Sequence, residues 1–263
     1  MKVKADLHNH LGRKGKFPNF NKVIDIASNR LGEEGIFSIT NCDDYRYENF
    51  ISGKGYERED FGNFIYVPKK RISVIKSQEV FTKGHLLIIG LPNRKNIKNK
   101  IVEDTIKEAK EKYNSIIIAN HPFYKSGIGN YMINHPKSRD FILDNIDSWE
   151  VYNASAEFWF PNILPKNANQ KSVEFYEKEI KNDYNIGACS FTDGHSPKVI
   201  GRSYTIIRQL DRENAQSLIN SLRSNIKSVK DFKYLHRESN ITDTLVHAIF
   251  MFKDQITKKL LKR

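Results

Sequence analysis

Two cysteines, Cys42 and Cys189, stand far apart in 263 residues and form no C-x-x-C pair. That scarcity fits a reduced, intracellular setting, and a cytoplasmic location is expected. No run of about 18 apolar residues occurs, so no membrane span is expected. The first strand should begin within a few residues of Met1, leaving no room for a signal peptide. Internal repeats, low-complexity tracts and linkers are also missing, and one domain is the simplest organisation at this length. Acidic residues are in short supply: 31 Asp and Glu against 43 Lys and Arg give a formal net charge of +12. Excess base suits an anionic partner such as a phosphate ester, a nucleotide or nucleic acid. Lysine spread among asparagine and isoleucine is also what a biased genome composition produces, and both explanations stand.

What is present reads as alternating strands and helices. Ala5-Asp6-Leu7-His8-Asn9-His10 is an opening strand, and a helix is predicted over 21–31, with Val23, Ile24, Ile26, Ala27 and Leu31 as its apolar stripe. A second strand covers 35–40, which makes β-α-β and favours parallel pairing. Residues 44–71, rich in Tyr, Gly and charge, read as a long irregular excursion. Strands follow over 72–80 and 85–91, separated by a turn at Thr82-Lys83-Gly84, then a helix over 102–113 and a nearly all-apolar strand over 115–120. Beyond these come a helix (139–146), a strand (149–153), an aromatic loop (154–168), a helix (169–184) and strands over 186–191 and 203–207. Helices over about 212–224 and 241–261 close the chain. In the second of these, Ile241, Leu245, Ile249, Phe252, Ile256 and Leu260 form a stripe expected to dock on the domain. Residues 1–210 are thus read as the barrel, and 211–263 as helices packed on it.

The chemistry lies at strand ends. His8 and His10 are two apart, so on a strand they project the same way, with Asp6 below them. Side-by-side imidazoles make half of a metal site. Glu79, His121, Asn153 and the pair Asp193/His195 also fall at C-terminal ends of predicted strands. In a parallel barrel those ends share one face, where active sites are built. Imidazoles mixed with carboxylates suit Zn²⁺, Mn²⁺ or Fe²⁺ better than Mg²⁺ or Ca²⁺.

Taken together these motifs resemble the PHP family, named for polymerase and histidinol phosphatase. Asp6-Leu7-His8-Asn9-His10 is similar to its opening motif. Glu79 followed by Gly84-His85-Leu86-Leu87-Ile88-Ile89-Gly90 resembles its metal-bridging glutamate and next strand. Ile118-Ala119-Asn120-His121-Pro122 resembles its "AHP" motif with Asn120 inserted, and Ser190-Phe191-Thr192-Asp193-Gly194-His195 its "SDAH" signature lengthened by one residue. Ile200-Gly201-Arg202-Ser203-Tyr204-Thr205 is similar to its closing segment. The resemblance implies a distorted (β/α)₇ TIM-like barrel and a phosphoesterase working through a metal-activated hydroxide. The implied substrate is a phosphomonoester or nucleotide-type ester. Exonuclease chemistry, or a non-catalytic nucleic-acid-binding or polymerase-associated role, is the alternative. By position, His8, His10, Glu79 and Asp193 would hold one divalent ion, and Glu79 would bridge to a second held by His121, with Asn153 as a further ligand. His195 would serve a third ion or act as an acid, making His195, Asp193 and Glu79 the catalytic candidates.

One end of the implied site departs from the family. The usual Thr-Asp-His-Asp is Thr40-Asn41-Cys42-Asp43 here, and Arg13, Lys14 and Lys16 stand where a further ligand is expected. Two ions are therefore expected, with a lysine or arginine replacing the charge of the third; Cys42 as a thiolate ligand is the alternative. Lys14, Lys125 and Arg202 are the candidate phosphate-binding cations, with surface solvation as the other reading of Lys125. His85 is expected to be structural or to support a ligand.

Overall fold

A computed structural model describes residues 1–12, 17–156 and 167–238. Its strands are β1 (Lys2–Asp6), β2 (Ile36–Asn41), β3 (Glu59–Asp60), β4 (Phe64–Val67), β5 (Ile72–Val80), β6 (Leu86–Ile89), β7 (Ile116–Ala119), β8 (Ser148–Asn153), β9 (Gly187–Phe191), β10 (Tyr204–Arg208) and β11 (Leu235–His236). Its helices are α1 (Phe20–Leu31), α2 (Arg46–Ile51), α3 (Val102–Lys107), α4 (Ile128–Asn134), α5 (Arg139–Asn145), α6 (Ala168–Phe175) and α7 (Ala215–Ser228). α3 and α6 each run on into a π-helical turn, over Glu108–Lys112 and Tyr176–Ile180.

All the strands belong to one sheet, ordered β11-β10-β1-β2-β5-β6-β7-β8-β9, with β4 also paired to β5. The sheet curls into a nearly closed barrel, and the α/β barrel expected from the sequence is what is found. It is mixed rather than parallel throughout. β6 runs antiparallel to both β5 and β7, and β10 antiparallel to β1. For β5 and β6 the reason is chain length: the link from Val80 to Leu86 is far shorter than the dozen or so residues a parallel crossover needs. Because β6 reverses twice, β1, β2, β5, β7, β8 and β9 still run the same way and end on one rim. The seam closes where β9 meets β1: His10 N donates to Gly194 O (2.7 Å) and Gly194 N to His8 O (3.3 Å).

β5 and β7 are buried along their whole length, as their apolar runs imply. Leu7, Ile75, Leu87, Ile117, Trp149, Val151 and Phe191 join one core, which Trp149 carries out to α6 by donating from Nε1 to Ser172 Oγ (2.8 Å). A second core lies outside it, where Val23, Ile24 and Leu31 of α1 meet Phe37, Ile39, Phe50, Ile65 and Val74.

That second core corrects the reading of residues 44–71 as irregular. The stretch forms α2 and the β3–β4 hairpin, with β4 laid antiparallel along β5. These elements are too short to show a period and are fixed by what they cover. α4, seven residues long, is absent from the elements read off the sequence for the same reason. The helix expected over 212–224 begins at Ala215, where the Asn214 side chain accepts from Gln216 N and Ser217 N as an N-cap. The helix expected over 241–261, Lys14 and residues 157–166 of the aromatic loop all lie outside the described residues.

α7 packs directly on β9. A Cβ added at Gly187 would come within 1.8 Å of the Ile226 carbonyl oxygen, so the helix approaches the strand only because that side chain is missing. Gly187→Ala is expected to destabilise the protein by about 2–3 kcal/mol through overpacking, read as a lower midpoint in urea unfolding with an unchanged slope.

Candidate metal centre

His8 and His10 follow β1, Glu79 sits near the end of β5, His121 lies just past β7, and Asp193 and His195 follow β9. The common strand direction brings these ends together. His8 Nε2 lies 3.1 Å from His10 Nε2 and 3.5 Å from Asp193 Oδ1, and the third side of the triangle, His10 Nε2 to Asp193 Oδ1, is 3.4 Å. Ligand atoms about 2.0–2.1 Å from a tetrahedrally held ion stand roughly 3.3 Å apart, so this triangle has the dimensions of a coordination face. Glu79 borders it on the other side. Its Oε2 is 3.2 Å from His10 Nε2, and its Oε1 is 2.9 Å from His121 Nε2. Three overlapping sets of ligand-type atoms result: His8/His10/Asp193, His8/Glu79/His121 and His10/Cys42/Glu79.

The electrostatics fit a cation. Burial pushes the Glu79 carboxyl up, but hydrogen bonds from His10, His121 and His85 pull it well below the usual range. Burial likewise opposes ionisation of Asp193, and His8, His10, His195 and His121 outweigh it, holding the carboxyl at about 2. Burial lowers His121, while Glu79 and then Asp193 and Glu150 raise it to about 9. The carboxylates thus draw positive charge toward them, and a divalent ion would supply that charge while releasing the protons.

Backbone strain marks the same place. Among the described residues six non-glycine residues have positive φ, and two of them are His121 (30°) and Asp193 (53°). Such conformations persist where the surroundings over-determine them, and they cluster at functional sites.

The other candidates sit as follows. His195 is exposed, its ring 5.0 Å from that of His10, with Nδ1 3.1 Å from the Asp193 carbonyl. Cys42 Sγ is 3.5 Å from His10 Nδ1. Lys125 is exposed in the loop directly after His121. Arg202 is half-buried with Arg30 and Glu238 as charged neighbours. Asn153, considered as a further ligand, turns its carboxamide oxygen to Ser155 N and Ala156 N (3.0 Å each) and its amide to Glu150 and Asp193. Both ends of its carboxamide are thereby engaged within the protein. His85 supports Glu79 through Nδ1 (3.1 Å), and the inserted Asn120 donates to the same carboxylate (2.9 Å).

Glu150 was not anticipated. It sits at the centre of β8, 1% exposed, and faces the cluster. The signal was there: an acidic residue among the apolar neighbours Trp149 and Val151 of a strand buried along its length.

No family model matches the chain, and no curated protein matches it. Solved structures do. The lesion-specific endonuclease PfuEndoQ from Pyrococcus furiosus aligns over 87% of this chain and 56% of its own at 17% identity, with a TM-score of 0.58. Endonuclease Q in complex with a 27-mer duplex substrate carrying an abasic lesion at the active site aligns over 87% and 57% at 16% identity, TM-score 0.54. A two-domain protein from Bacteroides vulgatus containing a predicted PHP-like metal-dependent phosphoesterase aligns over 88% and 64% at 16% identity, TM-score 0.55. The chain therefore spans less than two thirds of the length of these structures. At such identities the likeness is one of fold: the chain has the barrel of PHP-like proteins.

Proposed function

We propose that this chain is a PHP-type, metal-dependent phosphoesterase that hydrolyses a phosphomonoester or a nucleotide-type substrate. The observation that carries this reading is the overlap of three ligand sets at one rim of the barrel, sharing His8, His10 and Glu79 between them.

His8, His10, Glu79 and Asp193 are proposed as the residues that would hold one ion, and Glu79 with His121 as those that would hold a second. When bound, such ions would activate the attacking water and neutralise phosphoryl charge. His195 is proposed to act on the leaving group. Its Nδ1 can only donate to the Asp193 carbonyl, so the neutral ring carries its lone pair on Nε2, where it can hold or move a proton at the mouth. Lys125 and Arg202 are proposed as phosphate-binding cations, and Lys14 is proposed on its sequence position alone. Two ions are proposed, with Cys42 as the alternative ligand of a third; three tightly bound ions per chain in metal analysis would overturn that count.

The excess of basic residues supports a second substrate reading, a nucleic-acid phosphodiester, which the endonuclease fold neighbours also favour. A panel of aryl phosphate, bis-aryl phosphate, and single- and double-stranded oligonucleotides, assayed with Mn²⁺ and again after chelation, separates the two. Chelator-sensitive turnover of the monoester supports the first reading. Turnover of oligonucleotides alone supports the second, and no turnover of any ester by metal-loaded protein sinks both.

A further inference from the structure

Within the cluster lie two atoms with no hydrogen-bond partner. His8 Nδ1 and Glu150 Oε1 are both buried and without a hydrogen bond, 3.8 Å apart, on side chains with no solvent exposure. Leaving a buried acceptor and a buried ring nitrogen unsatisfied costs free energy, so two such atoms facing each other call for an explanation. The other oxygen of Glu150 is fully used. Oε2 accepts from the backbone N–H of His121, the strained residue after β7, and from Asn153 Nδ2 (3.0 Å). Asn153 Nδ2 also reaches Asp193 Oδ2 (3.3 Å).

Building on the proposed metal centre, we infer that Glu150 is its positioning residue: one buried carboxylate that orients His8, His121 and, through Asn153, Asp193. The distance between Glu150 Oε1 and His8 Nδ1 is too long for a hydrogen bond as it stands and closes with a small rotation of the imidazole. In that arrangement Glu150 accepts the Nδ1 proton. The Nε2 lone pair is then fixed toward His10 and Asp193, the tautomer a metal-bound imidazole requires. The requirement is for an acceptor at both carboxylate oxygens. Glutamine has the same shape but only one acceptor. Its amide either opposes the His121 N–H or offers an N–H to His8 Nδ1, which moves the ring proton to Nε2 and blocks ligation.

Glu150→Gln is the test, with Zn²⁺ as the probe. Zn²⁺ affinity, measured by competition with a chelating dye, is expected to fall about 10–100-fold, while the melting temperature of the metal-free protein shifts little. A merely structural role would do the reverse, lowering that melting temperature and leaving affinity intact, and affinity within twofold of wild type overturns the inference. Should the variant fail to fold, ¹⁵N spectra of histidine-labelled, Zn²⁺-loaded wild-type protein decide the matter. A protonated Nδ1 on His8 is expected, and an unprotonated one overturns it. If wild-type protein binds no Zn²⁺ or Mn²⁺ at all, the metal centre itself falls, a result distinct from tight binding that Glu150→Gln leaves unchanged.

Discussion

Replacing Asp193 with Asn should cut kcat/KM for any phosphate ester the protein turns over by at least about 10³-fold while leaving the fold in place. Asparagine keeps the size of the side chain and tolerates the φ of 53° at this position, so the turn that carries it survives. What is lost is charge. Asp193 Oδ1 faces His8 and His10 at 3.5 and 3.4 Å, and a neutral amide there can neither balance a cation nor keep an N–H away from it. Steady-state kinetics with added Mn²⁺, metal content per chain and a thermal melt check the three parts separately. Activity within tenfold of wild type would remove Asp193 from the machinery. His8→Ala should behave in the same way, because His8 belongs to two of the three ligand sets.

The largest loss of stability is expected elsewhere, at Glu48. Lys76 lies on the outer face of β5 with a fully buried side chain, and its ammonium is held by Glu48 Oε1, Pro92 O (3.0 Å) and Lys95 O (2.6 Å). Glu48→Gln would leave that cation without a counter-charge, at a cost of about 3–5 kcal/mol. For a domain of this size that is a melting temperature lower by about 10 °C. Lys76→Met should cost less, since Glu48 keeps the Asn41 amide (2.9 Å) and Arg94 N (2.8 Å) as donors. The pair also predicts an acid limb. Burial raises the Glu48 carboxyl, but hydrogen bonds from Lys76 and Asn41 more than reverse this, leaving it below the ordinary 4.5. A depressed carboxyl contributes stability that is complete above the ordinary value and is lost as pH falls through the depressed one. Melts below pH 5 should therefore show wild type and Glu48→Gln converging.

The rim was legible in the sequence because strand ends announce themselves. Apolar runs such as Ile116–Ala119 stop abruptly at polar residues, and a run of that kind needs no partner to be recognised. The parallel pairing favoured by the first β-α-β does not extend to β6 and β10, whose direction is set by connection length and by pairing across the chain rather than by composition. The excursion between β2 and β5 was opaque for a related reason. α2 has six residues, and what orders it is the buried Lys76, which belongs to another element. Glu150 was overlooked because a carboxylate inside a strand has meaning only beside its neighbours, and those arrive from β1, β7 and β9.

The seam between β1 and β9 has a consequence for biosynthesis. Asp6 is tied to Thr192 and Gly201 through three hydrogen bonds, from Thr192 N (3.0 Å), Thr192 Oγ1 (2.7 Å) and Gly201 N (2.8 Å), spanning up to 195 positions of chain. Contacts so distant form late. On the ribosome Asp6 and the two histidines beside it are made long before the residues around Thr192 and Gly201 that close this seam on them. A chain cut short of that segment would lack Asp193 and Gly201, and with them the closed seam.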